Sequence, residues 1–318
     1  LRGLSKPVVS TPRSRHNVLV NQSLMPTDAA DRVAIVGGGP GGYEAALVAA
    51  QLGAQVTVVD TDGLGGSAVL TDCVPSKTLI ATAELMSELR EAPELGINVS
   101  DSVGDQAHRV SVDLASVNKR VKQLAANQSA DIAERVRREQ VRVVQGRGRL
   151  TNHGAVMVDL AAGGVEEIAA DAILVATGAA PRTLTSAQPD GERILTWEQV
   201  YDLNETPSRL IVVGSGVTGA EFASAYQLMG IDVCLVSSRD RVLPGEDADA
   251  AGVLEEVLRR RGMEVLSKSR MESVTRAGEV VTVTLTDGRQ VVGSHCLLAL
   301  GSIPNTADLG LEEAGVAV

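Results

Sequence analysis

Aromatic residues are nearly missing from this 318-residue chain, which has one Trp, one Phe and three Tyr. Proteins that hold single-stranded nucleic acid stack its bases on aromatic rings, so this composition excludes that class. Cations are also in deficit. Lys and Arg number 29 against 40 Asp and Glu, and the net charge of −11 repels phosphate backbones, which argues against any nucleic-acid partner. Cysteine is scarce: Cys73, Cys234 and Cys296 stand at unrelated spacings, giving neither a disulfide framework nor a metal-ligand set, and this suits a reducing, cytoplasmic setting. Cys234 lies in the apolar run 233–236 and Cys296 heads another, so both read as packing residues. No apolar run approaches the roughly 18 residues that a membrane span needs.

Aliphatic residues and glycine are plentiful. A hydrophobic share of 44% with 32 glycines fits a well-packed α/β chain of two-domain length. Arg137-Arg138 and Arg259-Arg260-Arg261 fall near the ends of predicted helices, where cations complement the dipole, and read as structural. Residues 1–25 carry mixed basic and polar residues without the apolar core of a signal peptide. They are expected to be a disordered tail or the product of an early start, with Met25 a natural beginning.

The run 33–36 is a short buried strand, and Gly37, Gly39 and Gly42 after it have the G-x-G-x-x-G spacing, with Pro40 and Gly41 between. A helix follows, then a strand over 55–59 that ends at Asp60. Glycines at this spacing let the backbone turn tightly, approach a pyrophosphate and pack helix on strand; an acid about 20 residues on can hydrogen-bond a ribose hydroxyl. Apolar spacing over 113–139 predicts a long helix or helix pair, and strands are expected at 141–145 and 155–160.

The pattern then repeats, which implies two dinucleotides. A strand at 210–213 precedes Gly214, Gly216 and Gly219, a helix runs from Ala220 to about Met229, and another strand covers 232–236. Ser237 stands at the offset where the first unit has Asp60. With no acid there, Ser237, Ser238, Arg239 and Arg241 are candidates to receive a 2′-phosphate, which favours NADPH, although Gly219 as third glycine is the NAD-type choice. Further on, a helix over 248–261 ends at Gly262, and alternation over 281–285 before Asp287-Gly288 predicts a hairpin.

Between these signatures lies the run from Gly65 to Lys77. Asp72 can cap a helix with Pro75 in its first turn, Cys73 then sits at the helix N-terminus where the dipole favours a thiolate, and Lys77 shares its face four residues on. This run resembles the redox-active segment of the pyridine nucleotide-disulfide oxidoreductases, the flavoprotein family of dihydrolipoamide dehydrogenase and glutathione reductase. Cys73 matches the second of that family's paired cysteines, and Ala68 stands where the first would be.

The resemblance implies a fold of two Rossmann-like dinucleotide-binding domains, the NAD(P) domain (186–305) inserted in the FAD domain (26–185), with a β-meander. The first loop would take FAD and the second NAD(P)H. It places Gly66, Ser67 and Lys77 at the flavin, Gly148 in a turn at its adenine, and Ala176, Thr177 and Gly178 beside it. It pairs Glu221 with Lys77 across the domains and puts Val217 where several members have a tyrosine gate. It also reads Gly301 as part of the closing segment 298–305, with Ser302 replacing the usual arginine. Residues 306–318 then begin a return to the FAD domain, without the family's dimerisation domain, so a fragment that holds FAD poorly is expected, with a homodimer for the longer protein.

With Ala68 the electrons have no internal cysteine pair to enter, so a diffusible acceptor is expected. The sequence resembles most the family's NAD(P)H:quinone reductases, which lack the first redox cysteine. Lys77 and Glu221 would then shape the flavin site and Cys73 would be an auxiliary thiol. Pyridine nucleotide transhydrogenase and dihydrolipoyl dehydrogenase are the alternative enzymes, and a redox sensor oxidised at Cys73 is the non-enzymatic one.

Overall fold

The aliphatic runs at 33–36 and 210–213 have no polar face, so each needs cover on both sides and becomes a central strand of a parallel array. The computed structural model describes residues 31–97 and 111–317; the expected tail over 1–25 lies outside the described residues. In chain order, β1 (Arg32–Val36), α1 (Pro40–Gln51) and β2 (Gln55–Asp60) precede helices α2 (Gly66–Leu70), α3 (Cys73–Glu91) and α4 (Leu114–Arg138). Strands β3 (Arg142–Leu150), β4 (Ala155–Leu160), β5 (Val165–Ala169), β6 (Ala172–Val175), β7 (Ala179–Pro181) and β8 (Ile194–Thr196) follow. A second strand-helix alternation comprises β9 (Arg209–Val213), α5 (Val217–Leu228), β10 (Asp232–Val236), α6 (Ala248–Arg260) and β11 (Glu264–Leu266). Last come β12 (Met271–Ala277), β13 (Val280–Leu285), β14 (Gln290–Gly293), β15 (His295–Leu298) and β16 (Ser302–Pro304).

These elements form one sheet ordered β5-β4-β3-β2-β1-β6 and a second ordered β11-β10-β9-β15-β8. The second is parallel throughout, and the first is parallel from β3 to β6 with an antiparallel flank. The chain leaves the first sheet through β7 and comes back at β16, which pairs antiparallel with β7. Just beyond, the Leu150 N–H donates to the Leu309 carbonyl at 2.7 Å, tying the return to β3. The second sheet is therefore an insertion in the chain of the first, and β12-β13-β14 is the meander.

Side chains alternate across the second sheet with period two. On one face Ile211, Val213, Cys234, Val236, Cys296 and Leu298 pack under meander residues such as Val281 and Val283. Cys234 and Cys296 flank Ile211 in register, and burial pushes the Cys234 thiol up to about 12 and raises that of Cys296 as well. Both are packing residues, as expected. The other face meets α5, and there four of the aromatics, Trp197, Tyr201, Phe222 and Tyr226, gather in one cluster with Leu79 and Ala83 of α3 and Leu114 and Val121 of α4. Helices that follow the first nucleotide unit in sequence thus pack against the second. Concentrating the few large rings at this seam gives it much of the apolar area that holds the two sheets together.

The stretch 113–139 is one helix. The Asp113 carboxylate caps α4 by accepting from the Ser116 N–H at 3.1 Å, and Arg137 and Arg138 pair with Glu134 within its last turns. The Gly146-Arg147-Gly148 segment differs from expectation: it is the middle of β3, not a turn. Gly146 pairs with Leu160 and Gly148 with Val158. Gly148 faces inward, where an added Cβ would lie 3.1 Å from a Val36 methyl and 3.2 Å from one of Val156. The glycine serves close packing within the sheet.

His295 supplies a pH prediction. Half-buried at the start of β15 and flanked by Arg193 and Arg276, with Asp190 opposing weakly, it is pushed down to about 4 from the ordinary 6.5, chiefly by burial. The unfolded chain therefore binds the proton more readily. Its stabilising contribution is complete above about pH 6.5 and is lost as the pH falls towards 4. Melting temperature followed over that window should decline in the wild type and decline less in His295→Gln.

Candidate functional site

The two glycine loops are built alike, and each glycine has a steric reason. Gly37 and Gly214 adopt φ of 106° and 112°, and their N–H groups donate to Val59 and Val236 at the ends of β2 and β10. A Cβ at Gly42 would overlap the Gly37 carbonyl oxygen, and one at Gly219 the Gly214 carbonyl oxygen. A Cβ at Gly37 would strike the Ala176 carbonyl, and one at Gly214 that of Ala299. These four positions hold helix, strand and the neighbouring strand end together. Gly39 and Gly216 are different, for an added Cβ would have 3.8 Å to its nearest neighbour at Gly39 and open space at Gly216. Space kept clear over a helix N-terminus is what close approach of a pyrophosphate needs.

Capping carries the same message. The solvent-side helices α4 and α6 start under Asp113 and Asp247, whose carboxylates accept first-turn N–H groups. Helices α1 and α5 start at Gly39 and Gly216 with no side-chain cap. No side chain closes either start; in α1 Pro40 has no N–H and the Gly42 N–H donates to the Gly39 carbonyl at 2.9 Å, which leaves Gly41, so the residues present fit a dinucleotide at each loop. Pro40 and Gly41 are exposed in the first turn of α1.

Asp60 ends β2 as expected. Its carboxylate accepts the N–H groups of Gly38 at 2.6 Å, Asp62 at 2.9 Å and Gly63 at 2.7 Å, so it also shapes the loop that leads to α2. From there Gly65 donates to the Gly38 carbonyl at 2.8 Å, and Gly66, at φ 55°, passes so close that its Cβ would be 2.7 Å from the Gly39 Cα. Ser67, exposed in the first turn of α2, is thereby held beside the first loop. Across the loop, the Thr177 hydroxyl donates to the Asn305 carbonyl at 2.8 Å, the Asn305 N–H donates to the Gly178 carbonyl at 3.0 Å, and the Arg182 N–H donates to the Gly301 carbonyl at 2.9 Å. The 298–305 segment thus docks on the Ala176-Thr177-Gly178 strand end.

Ser237 does not face a ligand. It is fully buried, its hydroxyl lies 2.6 Å from the Ser215 hydroxyl, and it accepts the Arg239 N–H at 3.1 Å. The hydroxyl is consumed inside the loop, which leaves Ser238, Arg239 and Asp240 as its exposed groups, with Arg241 half-buried behind them and 4.0 Å from the Asp240 carboxylate. Val217, exposed, opens α5.

Between the loops, α2 and α3 bring the Gly65–Lys77 run up to α5. Lys77 Nζ lies 2.6 Å from Glu221 Oε1, joining residues 144 apart in sequence. Cys73, the first residue of α3, is exposed. Asp72 occupies the cap position of α3 but its carboxylate accepts no cap hydrogen bond, because the backbone there departs from cap geometry at φ −124°, ψ −95°. Its carboxyl is instead raised, first by burial, then by Glu221, and is opposed by Lys77. Sequence reasoning missed two neighbours. Glu198 accepts from the Thr71 hydroxyl at 3.5 Å and is also raised, mainly by burial and further by Asp62 and Asp72. The buried Tyr201 hydroxyl has no partner among the described residues and is raised first by burial, then by Tyr226, Asp72, Glu221 and Cys73. Neither carries a motif, and only the fold brings them to the run.

Two parallel-sheet nucleotide units with uncapped glycine-loop helices, bridged by a Cys-x-x-x-Lys helix, define a dinucleotide-linked oxidoreductase class. Residues 31–318 match the pyridine nucleotide-disulphide oxidoreductase family, and the chain belongs to it. It is 54% identical over 294 residues to an NAD(P)H dehydrogenase (quinone) of Mycobacterium tuberculosis, covering 90% of this chain and 58% of that protein. It is 32% identical to a dihydrolipoyl dehydrogenase of Zymomonas mobilis, covering 89% and 60%. The crystal structure of LpdA from M. tuberculosis superposes with a TM-score of 0.84 at 52% identity, over 91% of this chain and 62% of that one. The chain therefore spans about three-fifths of the length of these relatives.

Proposed function

We propose that this chain forms the nucleotide-binding part of a flavoprotein NAD(P)H dehydrogenase that reduces a diffusible quinone. The observation that carries this reading is the sulfur arrangement. Cys73 is exposed at the start of α3, position 68 is alanine, and the other two thiols lie buried in the second sheet. Within this chain Cys73 has no second thiol to form a dithiol with, which supports onward transfer to a small acceptor. The 54% identity to a protein named for quinone reduction supports the same acceptor class.

In this reading the α1 loop, Asp60 and the Ala176-Thr177-Gly178 strand end hold FAD, and the α5 loop with Ser238 and Arg239 holds the nicotinamide coenzyme, NADPH in preference to NADH. Bound flavin would supply the acceptor for hydride. Lys77, paired with Glu221, would supply positive charge to a flavin held here as it gains negative charge on reduction. The exposed Val217 leaves nicotinamide access unguarded. Cys73 acts as an auxiliary thiol. The family resemblance and the disulfide-free, acidic composition support a homodimer working in the cytoplasm; no helix among the described residues is long and apolar enough to cross a membrane.

Two measurements on the flavin-loaded protein test this. NADPH oxidation should proceed with menadione and fail with lipoamide; turnover with lipoamide alone defeats the proposal, and turnover with thio-NAD alone points to transhydrogenation. Anaerobic reductive titration should consume one electron pair per flavin. Uptake of a second pair would mean that Cys73 has a sulfur partner after all.

A further inference from the structure

Carboxylates outnumber cations where the two units meet at the start of α3. Asp72 and Glu198 are half-buried there, one at the head of α3 and the other in the segment that follows β8. Glu221 and Lys77 complete the group. Lys77 is the one cation among the described residues that acts on Asp72, and it already lies 2.6 Å from Glu221. Glu198 accepts from the Thr71 hydroxyl at 3.5 Å, and Asp72 accepts no bond from the helix it precedes. Half-buried acids without a cation of their own relieve the crowding by keeping a proton. Both carboxyls are raised accordingly. For Asp72 burial leads, with Lys77 opposing and Glu221 adding; for Glu198 burial leads, with the Thr71 hydroxyl opposing and Asp62 and Asp72 adding.

A second observation points to the same spot. Tyr201 is 4% exposed, and its hydroxyl has no hydrogen-bond partner among the described residues, yet it lies within electrostatic reach of Asp72, Glu221 and Cys73. A buried O–H without an acceptor is costly. Held beside Asp72, it is a donor in waiting for the carboxylate that forms when Asp72 gives up its proton. Cys73, the next residue, is exposed, so a small acceptor can reach this point from solvent.

Quinone reduction has use for such a group. A quinone becomes a quinol by gaining two electrons and two protons; NADPH brings both electrons and one proton as hydride, and the second proton must come from elsewhere. We propose that Asp72 supplies it: the carboxyl O–H breaks as a quinol O–H forms, Lys77 and the Tyr201 hydroxyl meet the carboxylate left behind, and Glu198 passes on a replacement proton from solvent. This rests on the reading of the protein as a quinone reductase.

The test sets menadione against ferricyanide, which takes electrons without protons. On the flavin-loaded protein, Asp72→Asn should lower the ratio of menadione to ferricyanide turnover roughly 10²-fold, the lower end for a lost general acid. In the wild type, menadione turnover should fall as the pH rises through the Asp72 midpoint, and ferricyanide turnover should not follow it. That midpoint is read without turnover, from the Asp72 carboxyl carbon by NMR, and should lie above the ordinary 3.8. Equal losses with both acceptors would mean that Asp72 only supports the loop, and a midpoint at the ordinary value would mean that it holds no proton. Either result overturns the proposal while the quinone reading stands. A wild type that reduces ferricyanide but not menadione defeats the quinone reading itself, and the proton claim with it.

Discussion

Gly42→Ala should cost the protein about 3 kcal/mol or more of stability, whereas Gly39→Ala, three residues earlier, should leave the melting temperature nearly unchanged and weaken flavin binding. The first effect follows from overlap. The alanine methyl would fall on the Gly37 carbonyl oxygen, and Gly37 is itself fixed by its N–H bond to Val59 and its contact with Ala176. Nothing flexible can give way, so the loop or the α1 packing must open. Overpacking of this kind lies at or above the upper end of ~1–3 kcal/mol, a large part of the ~5–15 kcal/mol that holds a domain together. At Gly39 the new methyl meets only the Gly66 Cα at 3.8 Å, an ordinary contact, but it projects into the space over the uncapped start of α1. A weakening of roughly 10²-fold in flavin affinity is expected, corresponding to about 2.7 kcal/mol. Thermal melts and retained flavin absorbance separate the two outcomes. Gly219→Ala and Gly216→Ala should divide in the same way for the nicotinamide coenzyme. Equal loss of stability at Gly39 and Gly42 would mean that the loop is not shaped around a ligand.

These glycines were legible in the sequence because their spacing encodes a backbone requirement that side chains cannot meet. Other glycines were not. Gly146 and Gly148 look like a turn in isolation, yet Arg147 and Arg149 point outward while Gly148 and Leu150 point inward, the period of two that marks a strand. From sequence, the missing acid makes Ser237 look like an open subsite, but its partner Ser215 lies 22 residues away on the other side of the loop. That pairing is tertiary and leaves no local trace. Asp72 has a capping residue's identity and position, but its backbone at φ −124°, ψ −95° is turned away from cap geometry, which only the fold reveals. The packing of α3 and α4 onto the second sheet was invisible for a related reason: their apolar stripes state that they are covered, not by what. Lys77 and Glu221 were joined by family resemblance alone.

That ion pair separates a strap from an electrostatic device. Lys77 is 59% exposed and Glu221 26%, so the 2.6 Å contact is largely solvated and its loss should change stability by less than ~1 kcal/mol. If its only use were to hold α3 against α5, the aromatic cluster behind it would suffice, and Lys77→Met should behave as wild type. If instead the ammonium stabilises charge that develops beside it, Lys77→Met should slow flavin reduction by NADPH roughly 10²-fold while flavin remains bound. Glu221→Gln, which keeps the shape and frees the lysine, should slow it less. The exchanged variant Lys77→Glu/Glu221→Lys keeps an ion pair but reverses its polarity, and it should melt near the wild type and stay slow in stopped flow. Asp72 reports the same field without turnover. Its carboxyl is raised by burial and by Glu221 and lowered by Lys77, so Lys77→Met should move its titration to higher pH and Glu221→Gln to lower pH, read from the carboxyl carbon by NMR. An exchanged pair with wild-type flavin reduction would leave the contact as a strap only.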